Sequence, residues 1–116
     1  MAAPIGPYTP IVRAGDWLIC SGQLGLADGA LVDGGVASQA RQAIANISRL
    51  LDSQGAGLGD VAKTTVFLTS MDDYAAVNEA YAAGFGDHRP ARSAIAVAGL
   101  PMGALVEIEA WACRPV

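Results

Sequence analysis

Side chains that ligate metals or attack covalently are scarce in this chain. It has one histidine, His88, and two cysteines, Cys20 and Cys113, far apart in the sequence. Zinc sites are built from several spaced Cys or His donors, so no metal centre is expected. The same scarcity removes a serine triad, because His88 sits in the polar run Asp87-His88-Arg89-Pro90 and Ser21 has no G-x-S-x-G elbow around it. His88 is accordingly expected to be a solvent-exposed loop residue. The 14 glycines form neither a G-x-G-x-x-G fingerprint nor a P-loop, so no nucleotide cradle is expected. Two distant cysteines are too few to staple a secreted domain, and they read as small apolar packing residues in a reducing compartment.

Charge is scarce too, and of the wrong sign for nucleic acid. Charged residues make up 16% of the chain and the formal net charge is −4, with a sequence pI near 4.6. Such a surface repels a polyphosphate backbone, so nucleic acid is not an expected partner. No apolar run approaches the ~20 residues of a spanning helix. The start MAAPIGPY lacks a basic stretch followed by an apolar one. A cytoplasmic protein without a membrane partner is expected.

Apolar side chains are abundant, at 53% of residues. A chain of 116 residues supports one hydrophobic core, burying roughly two-thirds of its unfolded surface, and residues 1–116 read as one domain. So small an interior does not absorb that much apolar material, and part of it is expected at a subunit interface.

Residues 11–13 and 17–21 read as a hairpin around the turn Ala14-Gly15-Asp16. Turn signals at 27–30 and 33–35 bracket a short strand at 31–32. From Val36 the period becomes helical: Ala40, Ala43, Ile44, Ile47, Leu50 and Leu51 form one stripe, and Gly55 stands where a C-terminal cap belongs. Residues 61–69 hold the densest β-branched run and read as a central strand. A second helix follows Ser70, an N-cap candidate with Asp72 and Asp73 after it, and carries Tyr74, Val77, Ala80 and Tyr81 on one stripe. Strands at 92–98 and 104–112 complete the order. The expected class is α+β, a mostly antiparallel sheet with two helices on one face and another subunit covering the other.

The last two strands carry the candidate chemistry. In 104–112, Val106, Ile108 and Ala110 share one face, and Glu107, Glu109 and Trp111 the other. In 92–98, Arg92 rises beside Ala94 and Ala96, which are small enough to leave a pocket. A guanidinium at the start of an apolar strand needs an anion, and its planar fork matches a carboxylate through two parallel hydrogen bonds. That anion is either a ligand or a structural partner such as Glu107 or Glu109. Glu107 is in turn either a general acid/base or the ion-pair partner. Tyr8 reads as a packing anchor.

Six segments taken together, IGPY (5–8), SGQ (21–23), KTTVFLT with MDDYAAVNEAY (63–81), PARSA (90–94), LP (100–101) and VEIEA (106–110), closely resemble the Rid family of reactive intermediate deaminases, also called RidA/YjgF. The resemblance implies a chorismate-mutase-like α+β fold and a homotrimer with three clefts between subunits. It also implies a hydrolase without cofactor or metal, converting 2-imino acids and their enamine tautomers to 2-oxo acids and ammonia. 2-Aminoacrylate, 2-iminopropanoate and 2-iminobutanoate are such substrates. By position, Arg92 resembles the family's carboxylate-binding arginine and Glu107 the glutamate that polarises water. Tyr8, Ser21 and Asn78 match its pocket tyrosine, serine and asparagine. Many members have cysteine where this chain has Ala94, so no thiol is required there. Other readings are a non-catalytic 2-oxo acid binding module and a paralogue acting on a different enamine. The ribonuclease or translation-inhibitor role of some relatives fits the acidic balance poorly.

Overall fold

The computed structural model describes residues 4–116. Among them seven strands and two α-helices follow one another: β1 (Ile11–Ala14), β2 (Trp17–Leu24), β3 (Leu26–Ala27), β4 (Ala30–Leu31), α1 (Gly35–Asp52), β5 (Val61–Leu68), α2 (Tyr74–Phe85), β6 (Ala91–Ala96) and β7 (Val106–Cys113). Five strands form one sheet in the order β1-β2-β7-β5-β6, while β3 and β4 make a separate small hairpin. Every pair in the sheet is antiparallel except β5 with β6. Parallel neighbours need a crossover, and α2 supplies it. The α+β class expected from the sequence is the one observed.

Several boundaries moved: β2 runs on to Leu24 beyond the expected 17–21, and β6 is Ala91–Ala96, not 92–98. The short strand is Ala30–Leu31, not 31–32. The last strand begins at Val106 because Pro101–Gly103 makes a 3₁₀ turn, with Met102 at a φ of 59°. Gly55 does help to close α1: at a φ of 74° it donates its N–H to Asp52 O at 3.1 Å, and Ala56 donates to Leu51 O at 2.9 Å. Those bonds satisfy carbonyls that a helix end leaves open.

The core lies between the helices and one face of the sheet. Ala40, Ala43, Ile44, Ile47, Leu50 and Leu51 of α1 pack with Val77, Ala80 and Tyr81 of α2 and with Leu18, Val66, Ile108 and Ala110 of the sheet. Truncating a fully buried member such as Leu51 to alanine should cost about 2–5 kcal/mol. Three polar side chains share this burial, and each is hydrogen-bonded. Gln39 Oε1 accepts from Leu105 N at 2.9 Å, Asn46 Nδ2 donates to Leu24 O and Leu26 O at 3.1 and 3.0 Å, and Thr64 shares a 2.7 Å bond with the Tyr81 hydroxyl. Gln39 and Asn46 therefore tie α1 to the segments that edge the cleft described below.

Among the described residues no helix covers the opposite face of the sheet. Val12, Trp17, Ile95 and Trp111 stay exposed there, with the two tryptophan rings edge to face at 6.3 Å. No helix among the described residues is long and apolar enough to cross a membrane.

Candidate active site

Glu107 lies on the helix-free face of β7, in register with Phe67 of β5 and Leu24 of β2. The β2 register shifts between Cys20 and Gln23, the mark of a bulge, and Ser21 and Gly22 sit inside it. Gly22 is there by steric necessity: a Cβ at that position would stand 2.7 Å from both Cδ and Oε1 of Glu107. Ser21 holds the N-terminal segment, its N–H donating to Pro10 O at 2.8 Å and its Oγ to Thr9 O at 2.7 Å. This brings Tyr8 beside them. Tyr8, Ser21, Gly22, Met102, Glu107 and Glu109 line part of a cleft of about 1060 Å³. Partial burial raises the pKa of Glu107 above the ordinary carboxylate value, and the like charge of Glu109 adds to the effect. A carboxylate so tuned holds and releases a proton closer to neutral pH.

Arg92 belongs to a different environment. It is in register with Thr64, which is in register with Ala110, so its side chain rises on the helical face. Its guanidinium carbon lies 4.9 Å from the Tyr81 ring centroid and 5.6 Å from that of Tyr74. Nη2 donates to the Tyr74 hydroxyl at 3.1 Å. The Tyr81 hydroxyl is in turn held by Thr64. Asn78, four residues beyond Tyr74 on α2, shares this stripe, and its Oδ1 is buried without a hydrogen-bond partner. The pairing of Arg92 with Glu107 or Glu109 entertained from the sequence does not form, because both glutamates face the other side of the sheet. Among the described residues Arg92 has no carboxylate partner.

Within one chain, then, the structure brings Tyr8, Ser21 and Glu107 together and places Arg92 against Tyr74 and Tyr81 of α2, the helix that also carries Asn78, but it does not join the two groups. The model of the family described as Endoribonuclease L-PSP matches residues 1–114. A 2-iminobutanoate/2-iminopropanoate deaminase of Mus musculus is 46% identical over 114 residues, covering 97% of this chain and 84% of the relative. The crystal structure of the YjgF gene product of E. coli superposes with a TM-score of 0.91 at 42% identity, over 97% of this chain and 91% of that one. The chain belongs to the YjgF/RidA family. A second E. coli member, TdcF with bound serine, superposes with a TM-score of 0.90 at 37% identity over 96% of this chain and 91% of its own.

Sequence reasoning missed what several residues of this YjgF/RidA protein do around the candidate site and beside it. Tyr74 was expected to pack with Val77 and Tyr81, yet it is 42% exposed and partners Arg92. Its place seven residues before Tyr81 on a helix was the available signal. Gly22 gave none, because its role is to leave room for a residue distant in sequence. His88 is not a free loop residue: half-buried, it donates from Nε2 to Val61 O at 2.7 Å and so anchors the chain before β6.

Proposed function

We propose that this YjgF/RidA protein hydrolyses 2-imino acids to 2-oxo acids and ammonia, at clefts between subunits of a homotrimer. The observation that carries the reading is the guanidinium of Arg92, half-buried on an aromatic bed with no carboxylate beside it among the described residues. Such a cation is poised for an external anion. The named activity of the Mus musculus relative and the serine of the TdcF structure both point to a small carboxylate. The opposite facing of Arg92 and Glu107 supports a shared site, as does the exposed apolar surface around Trp17 and Trp111. One subunit supplies Arg92 and Asn78, and its neighbour supplies Tyr8, Ser21 and Glu107.

In this mechanism the fork of Arg92 fixes the substrate carboxylate, and Asn78 offers its unpartnered Oδ1 to the protonated imine nitrogen. Glu107 takes a proton from water as the oxygen bonds to C2 and the C=N π electrons move to nitrogen. The tetrahedral carbinolamine then collapses: Glu107 returns the proton to the amine, the C–N bond breaks and ammonia leaves with the electron pair, while the O–H electrons form the C=O of the 2-oxo acid and the hydroxyl proton passes to the Glu107 carboxylate, which releases it to ammonia or water. The imine carbon is already electrophilic, so placement and proton transfer suffice. Tyr8 and Ser21 close the cleft over the ligand. The nuclease of the family's description would need a surface for polyphosphate, and the net charge of −4 weighs against it.

The test couples the purified protein to a serine or threonine dehydratase and follows 2-oxo acid formation. Formation faster than spontaneous hydrolysis is expected. Equal rates with and without the protein would dispose of the reading.

A further inference from the structure

We infer that Tyr74 is a positioning residue for Arg92, holding its guanidinium edge so that the remaining N–H groups face the bound carboxylate; this rests on the imino-acid reading of the site. Tyr74 opens α2, its ring 42% exposed, and Arg92 is the hydrogen-bond partner of its hydroxyl. An exposed tyrosine of this kind does little for folding. Its contact with Arg92 is nonetheless specific. The guanidinium lies over Tyr81, whose buried ring sets its plane through a cation–π contact. Thr64, in register with Arg92 on the neighbouring strand, holds the Tyr81 hydroxyl, so that ring is locked by the sheet itself.

A stacking contact alone leaves the guanidinium free to turn within its own plane. The bond from Nη2 to Tyr74 Oη stops that rotation. Of the five N–H groups in the fork, Tyr74 takes one and leaves the others for a ligand. A cation held in its bound orientation loses less freedom when the anion arrives, so the contribution of Tyr74 lies in affinity, not in the chemical step.

The decisive variant is Tyr74→Phe, which keeps the ring and the helix and removes one oxygen. Two readouts are needed: steady-state kinetics in the dehydratase-coupled assay, and the Kd of the product 2-oxobutanoate by calorimetric titration. KM and the product Kd should both rise about fivefold, with kcat within about twofold of wild type. In an Arg92→Ala background, itself without turnover, the same change should leave the already weakened product Kd unaltered, because Tyr74 acts through Arg92. An unchanged Kd in Tyr74→Phe beside normal wild-type turnover overturns the positioning role and leaves the deaminase reading standing. A lowered kcat at constant KM overturns it as well. A wild-type protein that binds 2-oxobutanoate without accelerating imine hydrolysis overturns the deaminase reading alone, and the Kd of Tyr74→Phe still decides the role of Tyr74. No binding of 2-oxobutanoate by wild type, together with no acceleration of imine hydrolysis, overturns both.

Discussion

Arg92 and Glu107 stand on opposite faces of one sheet: Arg92 shares its row with Thr64 and Ala110, and Glu107 shares an outward-facing row, beyond that of Ser93, Thr65 and Glu109, with Phe67 and Ile95. Side chains alternate strictly along a strand, so no rotamer carries either group through the sheet to the other. A site that uses both must be completed by a second copy.

Mixed oligomers test this directly. Arg92→Ala and Glu107→Gln proteins should each be inactive alone, yet co-assembled in equal amounts they should recover about a quarter of wild-type activity, the chance that an interface receives both intact side chains. Sedimentation should give a trimer for wild type and for both variants. Absence of any recovery in co-assembled trimers would mean that the two residues do not serve one site.

Arg92→Lys separates the fork from the charge. Lysine keeps the cation but offers no parallel pair of donors, and it stacks less well on Tyr81. Activity should fall more than about tenfold, or ~1.4 kcal/mol, in a protein that stays folded and trimeric. A structural role for Arg92 would show the reverse, tolerance of lysine and loss of assembly with alanine.

Glu107 carries a pH signature. Burial and Glu109 raise its pKa in the folded protein, so its proton is bound more tightly there than in the unfolded chain. With the folded value above the unfolded one, the stabilising contribution is present below the unfolded pKa and is lost as pH rises through the folded pKa. Glu107→Gln should therefore melt no lower than wild type at about pH 7, and lose that relative advantage near about pH 4, while turnover falls and product binding persists. A lower melting temperature at neutral pH would contradict the sign. Unaltered turnover would remove Glu107 from the mechanism.

Gly22 and Gly25 should respond differently to alanine. A Cβ on Gly22 meets the flexible, half-exposed end of Glu107, whereas one on Gly25 stands 2.5 Å from the Cα of Gln39 and 2.6 Å from its carbonyl oxygen. Gly22→Ala should displace the carboxylate and lower kcat by about tenfold with little change in melting temperature. Gly25→Ala presses on helix backbone and should destabilise by about 1–3 kcal/mol. Kinetics and thermal unfolding of the two proteins distinguish a catalytic glycine requirement from a packing one.

Much of the fold was legible because it follows from local periodicity. The stripe from Ala40 to Leu51 and the alternation from Val106 to Ala112 each bury one side, whatever the partner. The members of the candidate site were legible by resemblance, in short segments around Tyr8, Ser21, Asn78, Arg92 and Glu107. The environment of Arg92 was not, since alternation in 92–98 tells which residues share a face but not which of its faces continues the aliphatic face of the last strand, and that depends on register through β5.

The sequence by itself determined the class of fold, the two helices, the strand faces and the scarcity of histidine and cysteine, because each depends on composition or on spacing along one segment. Only the tertiary structure decided that Arg92 rests on Tyr81 and Tyr74 without an acid, that Gly22 clears space for Glu107, and that these two charged residues face apart. Those relationships join residues from different strands and helices, and they are set by register across the sheet and by where α2 returns the chain, quantities that no single stretch of sequence encodes.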